Sequence, residues 1–227
     1  MGKIIYDPEL SERAPVYKDR RHAGRVLAEF MAKNGLAPDF VLAIPAGGVP
    51  VAIEVAKRFG VKMDLIIVKK VLYPWTTEAG FGAVGPLGTV IIGPNPLREE
   101  EVEEQVEQAR RKVELRERVL RGGRPYPDLS GMRVAVVDDG IAAGYTMMVA
   151  VLAAKKMGAE EVWAAAPTAS LDGAQRVAQA ADLVIVPNIR SGPVFAVADA
   201  YEVWYDLSEE DVLELLEEAR RLGLLAF

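Results

Sequence analysis

The stretch that most constrains the fold is residues 132–148, which read MRVAVVDDGIAAGYTMM. Residues 134–137 form an apolar and mostly β-branched run, which is typical of a strand buried on both faces. Two acids, Asp138 and Asp139, follow directly at the carboxyl end of that strand. A loop of small residues comes next, and the apolar residues from Met147 onward predict a helix. We therefore expect one continuous unit of strand, acidic pair, loop and helix.

The loop in this unit has the composition of an anion-binding loop. Small residues let backbone N–H groups approach an anion closely, and the N-terminus of the following helix adds partial positive charge. Asp138 and Asp139 would repel a phosphate, so we expect them to bind hydrogen-bond donors such as the vicinal hydroxyls of a ribose. The residues expected to hold the phosphate are Gly140, Ile141, Ala142, Ala143, Gly144, Tyr145 and Thr146. The combination points to a 5-phosphoribosyl group.

Two other interpretations of this unit are open. A buried strand followed by a capped βα loop needs no ligand, and an acidic cluster at a strand end also occurs in receiver-like domains. Gly144 and Thr146 stand in register with the predicted start of the helix. That register favours the ribose-phosphate interpretation over both alternatives.

The motif resembles the loop that binds 5-phosphoribosyl 1-diphosphate (PRPP) in type I phosphoribosyltransferases, where two acids precede a small-residue loop ending in Gly-x-Thr. The resemblance implies that Asp138 and Asp139 hold the 2- and 3-hydroxyls of the ribose, and that residues 140–146 hold its 5-phosphate. It covers nearly the whole chain when the comparison is a group of predicted phosphoribosyltransferases of unassigned substrate. The Pro-x-Gly-Gly-Val-Pro-Val-Ala segment that begins at Pro45 is part of that wider match.

A second unit of strand, glycine loop and helix lies earlier in the chain. Residues 39–45 predict the first core strand, and Ala46, Gly47 and Gly48 follow it. Glycine permits the backbone dihedral angles that aim amides at a diphosphate. The family resemblance places the pyrophosphate loop here and implies a non-proline cis peptide near Ala46. Family loops usually carry Arg or Lys where this chain has Ala46, and a tight strand–helix turn is the alternative interpretation.

Two lysines follow the strand that is predicted over residues 63–68. Lys69 and Lys70 would lie at the carboxyl edge of that strand, where they could supply the positive charge that Ala46 lacks. Solvated surface lysines are the alternative. We therefore include both lysines among the candidate pyrophosphate-binding residues.

The first helix is predicted within residues 17–34, with Asp19 as its N-cap. Arg20 and Arg21 are expected to be surface charges, although their segment could approach the active site. His22 lies in the first turn, where a histidine is more often solvated or locally hydrogen-bonded than catalytic.

Two irregular segments complete the candidate site. Residues 72–92 are rich in Gly and Pro and predict a mobile loop that leads into a β-hairpin. In many relatives a loop at this place closes over PRPP. Residues 188–207 are aromatic and irregular, and a similar stretch stacks on the nucleobase in purine-type relatives. Phe195 is the resulting candidate for base binding, with plain core packing as the alternative.

Strands and helices alternate along most of the chain. This rhythm predicts a doubly wound, mainly parallel α/β sheet flanked by helices, with ligands at the carboxyl ends of its strands. We expect a single phosphoribosyltransferase-like domain over residues 1–227, with its core at about 36–187. A long charged helix is inserted at 97–121, and a small hood is expected from 188–207, with N-terminal residues as a second candidate contribution to it.

The composition excludes several classes of site. The chain has no cysteine and one histidine, so disulfides, a thiol nucleophile and a multi-histidine metal centre are excluded. A net charge of −6 argues against general nucleic-acid binding. No apolar run has the length of a membrane span, and the first ten residues lack the layout of a signal peptide. We therefore expect a cytoplasmic protein with neither nucleic acid nor membrane as partner.

The function expected from these observations is transfer of the 5-phosphoribosyl group of PRPP to a nitrogenous base, with release of pyrophosphate. The resemblance implies Mg²⁺ held through PRPP without a direct protein ligand, and a homodimer or higher homo-oligomer. The alternative is a catalytically weak PRPP- or nucleotide-binding regulator, because Ala142 and Ala143 replace an Asp and a Thr found in many relatives. A Rossmann dehydrogenase is disfavoured because no G-x-G-x-x-G follows the first predicted strand.

Overall fold

The computed structural model describes residues 1–227. Its elements in chain order are β1 (Lys3–Ile5), α1 (Arg20–Lys33), β2 (Phe40–Ala43), α2 (Gly48–Phe59), β3 (Lys62–Leu65), β4 (Lys69–Leu72), β5 (Gly80–Val84), β6 (Val90–Ile92), α3 (Glu99–Arg121), β7 (Arg133–Val137), α4 (Tyr145–Lys156), β8 (Glu161–Ala165), β9 (Thr168–Ser170), α5 (Leu171–Val177), β10 (Leu183–Ile185), β11 (Asn188–Arg190) and α6 (Glu209–Arg221). A single 3₁₀ turn, Val197–Ala200, lies between β11 and α6.

The centre of the molecule is a six-stranded sheet in the order β1-β10-β8-β7-β2-β3, and every neighbouring pair is parallel. Successive side chains of each strand enter one of two apolar clusters, one on each face of the sheet. Helices α1, α2, α3 and α6 contribute to one cluster, whereas α4 and α5 contribute to the other. The predicted doubly wound α/β fold is confirmed.

The carboxyl ends of the central strands lie at one edge of this sheet. Ala43 of β2 pairs with Val137 of β7, which in turn pairs with Ala165 of β8. The chain leaves β2 for α2 on one face and leaves β7 for α4 on the other face. Because the connections diverge between β2 and β7, the crevice for a ligand opens between the loops that follow these two strands.

A separate three-stranded antiparallel sheet, β4-β5-β6, covers part of the main sheet. The predicted hairpin is present as β5 and β6. The strand predicted over residues 63–68 ends at Leu65, and Lys69 and Lys70 instead begin β4 of the second sheet. The expectation that these lysines stand at the end of a core strand is therefore wrong.

Two further pairings were not predicted. The core strand predicted within residues 39–45 is present as β2, but the three-residue strand Lys3–Ile5, which precedes it and pairs with β10 at the edge of the sheet, was not predicted. The segment predicted as an irregular hood contains β11, which pairs in parallel with β9. Both extra strands have three residues, a length at which hydrophobic periodicity carries little signal.

Local signals at the helix ends agree with the structure. Asp19 caps α1 by accepting a hydrogen bond from the N–H of His22, and Ser208 with Asp211 forms a capping box on α6. The end of α3 is anchored to β3 because Arg121, which is fully buried, donates two 3.0 Å hydrogen bonds to the Asp64 carboxylate. No helix is both long enough and apolar enough to cross a membrane.

Candidate active site

The two acids of the central motif lie side by side at the carboxyl end of β7. One oxygen of Asp138 accepts a 2.8 Å hydrogen bond from the N–H of Asp139. One oxygen of Asp139 accepts a 3.0 Å hydrogen bond from Nε of Arg20. Apart from the contact between the two carboxyl groups themselves, Asp138 Oδ2 and Asp139 Oδ1 have no hydrogen-bond partner in the protein. Each carboxyl group therefore keeps one oxygen with which to accept a ligand hydroxyl.

Burial and mutual repulsion shape the charge of this pair. Burial, followed by the neighbouring charge of Asp139, raises the pKa of Asp138 well above its ordinary value. Burial also raises the pKa of Asp139, and the nearby Arg20 guanidinium partly offsets that rise. The structure thus holds two carboxyl groups where full ionisation of both is costly unless a ligand or cation compensates them.

The loop at residues 140–146 is held from outside through the carbonyl groups of Ala142 and Ala143. Ser170 Oγ donates a 2.7 Å hydrogen bond to the carbonyl of Ala142, and the Arg176 guanidinium donates one to the carbonyl of Ala143. Ile141 anchors the loop, because its side chain is buried and its N–H donates to the Thr168 carbonyl at 3.0 Å.

These anchors leave a row of backbone donors without protein partners. No hydrogen bond within the protein uses the N–H groups of Ala142, Ala143, Gly144, Tyr145, Thr146 and Met147. They are consecutive, and they lead into the N-terminus of α4, a helix of 12 residues. An anion at this point would meet both the free amides and the positive end of the helix dipole.

The two polar side chains at the start of α4 have different surroundings. The Tyr145 ring packs against Gly93, where a β-carbon would overlap the phenol, and the Arg176 guanidinium lies 4.9 Å from the ring centroid. Tyr145 therefore offers its backbone N–H to the loop, while its ring packs elsewhere. The Thr146 hydroxyl makes no hydrogen bond with the protein, so it is free to join the amides.

The second loop, Ala46 to Gly48, faces the acidic pair directly. The Pro45–Ala46 peptide bond is cis, as the family resemblance implied. A β-carbon on Gly47 would overlap Asp139 Oδ2, and one on Gly48 would lie 2.7 Å from the Val137 carbonyl oxygen. Glycine is required at both positions because the two loops touch. The N–H groups of Ala46 and Gly47 have no protein partner.

Arg20 is the site residue whose environment the sequence analysis missed. The sequence predicts a surface charge, but Arg20 is 8% exposed and bonds Asp139. Its Nη1 donates a 2.8 Å hydrogen bond to the Tyr205 carbonyl, and its guanidinium lies 3.9 Å from the ring centroid of Trp204. The sequence analysis offered one hint, the expectation that the segment of Arg20 and Arg21 could approach the active site.

The two residues that follow Arg20 have the surroundings that the sequence predicts, a surface position for Arg21 and a local hydrogen bond for His22. Arg21 is partly exposed and forms a two-bond ion pair with Glu218, at 2.7 and 3.0 Å. His22 Nδ1 accepts a hydrogen bond from the N–H of Lys18 at 3.0 Å. Neither side chain forms a hydrogen bond with residues 46–48 or with residues 140–146.

The candidate lysines differ in their neighbours. Burial, then the positive charge of Arg116, lowers the pKa of Lys69, which lies on the side of α3. Lys70 is exposed, and its charge acts on the Asp138 carboxyl by lowering the pKa of Asp138. Of the two candidates, Lys70 is therefore the one on the side of the acidic pair.

The segment at 188–207 reaches over the loop at residues 140–146. Val197 occupies the space where a β-carbon on Gly140 would lie, and Tyr201 donates a 2.6 Å hydrogen bond from its hydroxyl to the Asp139 carbonyl. Phe195 is half-buried, and the Arg190 guanidinium lies 4.3 Å from its ring centroid. The predicted base-binding candidate thus stands two residues before the contact with the loop.

Comparison with known proteins identifies the family of this chain. Residues 17–199 match the family described as the phosphoribosyl transferase domain. Proteins of two Mycobacterium tuberculosis strains, CDC 1551 / Oshkosh and H37Rv, are each named putative phosphoribosyl transferase. Both are 34% identical to this chain over 214 residues, which is 91% of this chain and 47% of each relative. The chain therefore spans about half the length of these curated relatives.

A solved structure is similar over almost its full length. The crystal structure of TT1426 from Thermus thermophilus superposes with a TM-score of 0.72 at 34% sequence identity. The match covers 89% of this chain and 98% of TT1426. An experimental structure thus shows a fold similar to that of this chain.

Proposed function

The chain belongs to the phosphoribosyl transferase family, and we propose that it transfers the 5-phosphoribosyl group of PRPP to a nitrogenous base and releases pyrophosphate. The observation that carries the proposal is the row of unpartnered amides at residues 142–147. It lies at the start of α4, directly after two carboxyl groups that each keep one free oxygen. A 5-phosphate needs hydrogen-bond donors such as these amides, and the two ribose hydroxyls beside it need acceptors such as these carboxyl oxygens.

Binding would fix the sugar from both ends. The amides of residues 142–146 and the Thr146 hydroxyl would donate to the 5-phosphate. Asp138 Oδ2 and Asp139 Oδ1 would accept hydrogen bonds from the two ribose hydroxyls. The free N–H groups of Ala46 and Gly47 would receive the diphosphate, which places C1 of the ribose between the two loops.

Catalysis would then come from positioning and charge rather than from a covalent protein nucleophile. The bond from C1 to the diphosphate breaks, the bond from the acceptor nitrogen to C1 forms, and the proton of that nitrogen goes to solvent. Positive charge develops on the ribose ring as the diphosphate leaves. Asp138 and Asp139 stand beside that ring and would stabilise this charge.

Magnesium fits the donor set of the site only through the substrate. No group of three or more His, Asp or Glu side chains could hold a metal ion. Mg²⁺ commonly keeps several waters and binds substrate phosphates with few protein ligands. The protein would thus hold it indirectly, through the residues that hold the ribose and the diphosphate. When bound, the ion would neutralise negative charge on the diphosphate.

The acceptor base would bind under the segment at 188–207. Phe195 presents an aromatic ring there, and one side of the ring is covered by Arg190. A flat heteroaromatic base would stack on the ring or on the guanidinium plane. The chain is also proposed to act in the cytoplasm as a homodimer or higher homo-oligomer, as the family resemblance implies.

The proposal is tested by incubating the protein with PRPP, Mg²⁺ and single purine, pyrimidine or nicotinate-like acceptors while measuring pyrophosphate release. Release that depends on one acceptor class, and that disappears in Asp138→Asn, supports the proposal. If no acceptor gives release although PRPP binds, the transferase proposal fails.

That last outcome would favour a second candidate function, a PRPP- or nucleotide-binding regulator with weak turnover. The observation in its favour is that the loop at residues 140–146 holds no titratable side chain except the Tyr145 phenol, which packs elsewhere. The loop therefore offers no general base for the acceptor. Binding of PRPP without turnover would be the expected behaviour of this second candidate.

A further inference from the structure

We infer that Arg20 supplies the cation for the diphosphate of PRPP that the loop at Ala46 lacks. This inference rests on the proposed function, since it assigns a residue to the pyrophosphate subsite of the same site. Family loops usually carry Arg or Lys where this chain has Ala46. Arg20 comes from a different element, the first turn of α1, and reaches the same place.

Arg20 lies against the pyrophosphate loop in space. Its Nε is 3.2 Å from the point where a β-carbon on Gly47 would stand. The N–H groups of Ala46 and Gly47, which have no partner in the protein, belong to the same short loop. A diphosphate held by those amides would therefore be next to the guanidinium group.

The guanidinium group keeps most of its donors for a ligand. A guanidinium has five N–H groups. Arg20 uses one at Nε, toward Asp139, and one at Nη1, toward the Tyr205 carbonyl. Its Nη2 donates to no group of the protein. The free donors form the planar fork that binds two phosphate oxygens at once, which a lysine ammonium cannot reproduce.

The surroundings of Arg20 hold this fork in place before a ligand arrives. The face of the guanidinium rests on Trp204, at 3.9 Å from the ring centroid, while Tyr205 and Asp139 fix its edge. Little side-chain freedom remains to be lost on binding, so the interaction is preorganised.

A cation at this position would also offset the negative charge that the two carboxyl groups and the diphosphate bring together. Asp138 and Asp139 would stand beside a highly negative diphosphate, and burial, followed by the charge of Asp139, already raises the pKa of Asp138. The one cation within hydrogen-bond distance of either carboxylate is Arg20. Arg20 thus links the ribose subsite to the diphosphate subsite, because it bonds Asp139 and borders Gly47 together.

The test is calorimetric titration of pyrophosphate, in the presence of Mg²⁺, and separately of ribose 5-phosphate, into wild type and Arg20→Gln. Gln can still donate one hydrogen bond to Asp139 but carries no charge and no fork. We expect Arg20→Gln to lose affinity for pyrophosphate by about tenfold or more, as for a lost charged hydrogen bond. Affinity for ribose 5-phosphate should change by less than about threefold.

Arg21→Gln is the matched control, because Arg21 is the neighbouring arginine and pairs only with Glu218. It should bind both ligands as wild type does. A second variant, Ala46→Arg in the Arg20→Gln background, should restore pyrophosphate binding, since it returns a cation to the loop. If Arg20→Gln does not fold, Arg20→Lys keeps the charge without the fork and should weaken pyrophosphate alone.

Three results would overturn the inference. Unchanged pyrophosphate affinity in Arg20→Gln would remove Arg20 from the subsite. An equal loss for both ligands would mean that Arg20 only positions Asp139. If wild type binds neither PRPP nor ribose 5-phosphate, the proposed function falls, and the inference falls with it.

Discussion

The buried acidic pair leads to a specific prediction about stability, namely that Asp138→Asn stabilises the folded protein at neutral pH. The folded state raises the pKa of Asp138 through burial and through the charge of Asp139. The stability that Asp138 contributes is therefore fully present only at low pH, where its carboxyl is protonated in both the folded and the unfolded protein. That contribution is lost as the pH rises from the unfolded pKa, 3.8, through the higher folded pKa.

The magnitude follows from proton linkage. Over that pH window the stability of wild type falls, relative to Asp138→Asn, by up to about 1.4 kcal/mol per pH unit. The side-chain oxygen of Asn can still accept the hydrogen bond from the N–H of Asp139. The substitution therefore removes the charge and keeps the hydrogen bond that the Asp138 side chain accepts from a backbone N–H.

The assay is urea unfolding followed by tryptophan fluorescence at several pH values between 3 and 8. The free energy of unfolding of Asp138→Asn should exceed that of wild type, and the excess should grow with pH until the folded carboxyl is ionised. Asp39→Asn is a control of opposite sign, because hydrogen bonds from Arg133 lower the pKa of Asp39. That variant should lose stability at neutral pH and recover relative to wild type on acidification. An Asp138→Asn variant that is less stable than wild type, or a pH-independent difference, would refute the reasoning.

Three further predictions concern Gly144 in the loop at residues 140–146, the buried pair of Asp64 with Arg121, and Phe195 in the segment at 188–207. Gly144→Ala should weaken ribose 5-phosphate binding, because Gly144 has φ +98° and an added side chain costs about 1–2 kcal/mol there. The control is Gly35→Ala, which is also at positive φ but has open space around it, and it should leave binding unchanged in the same titration. Asp64→Asn should lower the free energy of unfolding by about 1.5–3 kcal/mol in urea titrations, because it removes one of the two carboxylates that pair with the buried Arg121 and leaves only Glu117, while ribose 5-phosphate affinity in the folded protein stays the same. Phe195→Ala should raise the KM for the acceptor base and leave pyrophosphate affinity unchanged; an unchanged KM would remove Phe195 from the base site.

The sequence is most informative where a physical requirement is local. The apolar run at residues 134–137 has no solvent-facing side, so it had to be an inner strand, and β7 is the strand between β2 and β8. Gly47 and Gly48 were predicted as a glycine loop directly after a strand, and the structure adds the reason that both must be glycine, which is that the loops after β2 and β7 touch. These features produced the correct fold class and brought both predicted loops to one edge of the sheet.

The sequence is least informative where burial depends on distant residues. Arg20 stands beside Arg21 in the first turn of a helix, and both have the pattern of solvated charges. Only Arg20 is covered, because Trp204 and Tyr205 fold back over it from the C-terminal part of the chain. The change of sheet before Lys69 is equally hidden, since the apolar run at residues 63–68 continues through the break between β3 and β4.

The most direct test of the central claim is calorimetric titration of PRPP, with and without Mg²⁺, into wild type and into the double variant Asp138→Asn/Asp139→Asn. The account predicts micromolar, Mg²⁺-sensitive binding by wild type and strongly weakened binding by the folded double variant. Equal affinities in the two proteins would contradict the assignment of the ribose to the acidic pair. Failure of wild type to bind PRPP, ribose 5-phosphate and nucleoside monophosphates would contradict the assignment of the loop at residues 140–146 to a phosphate.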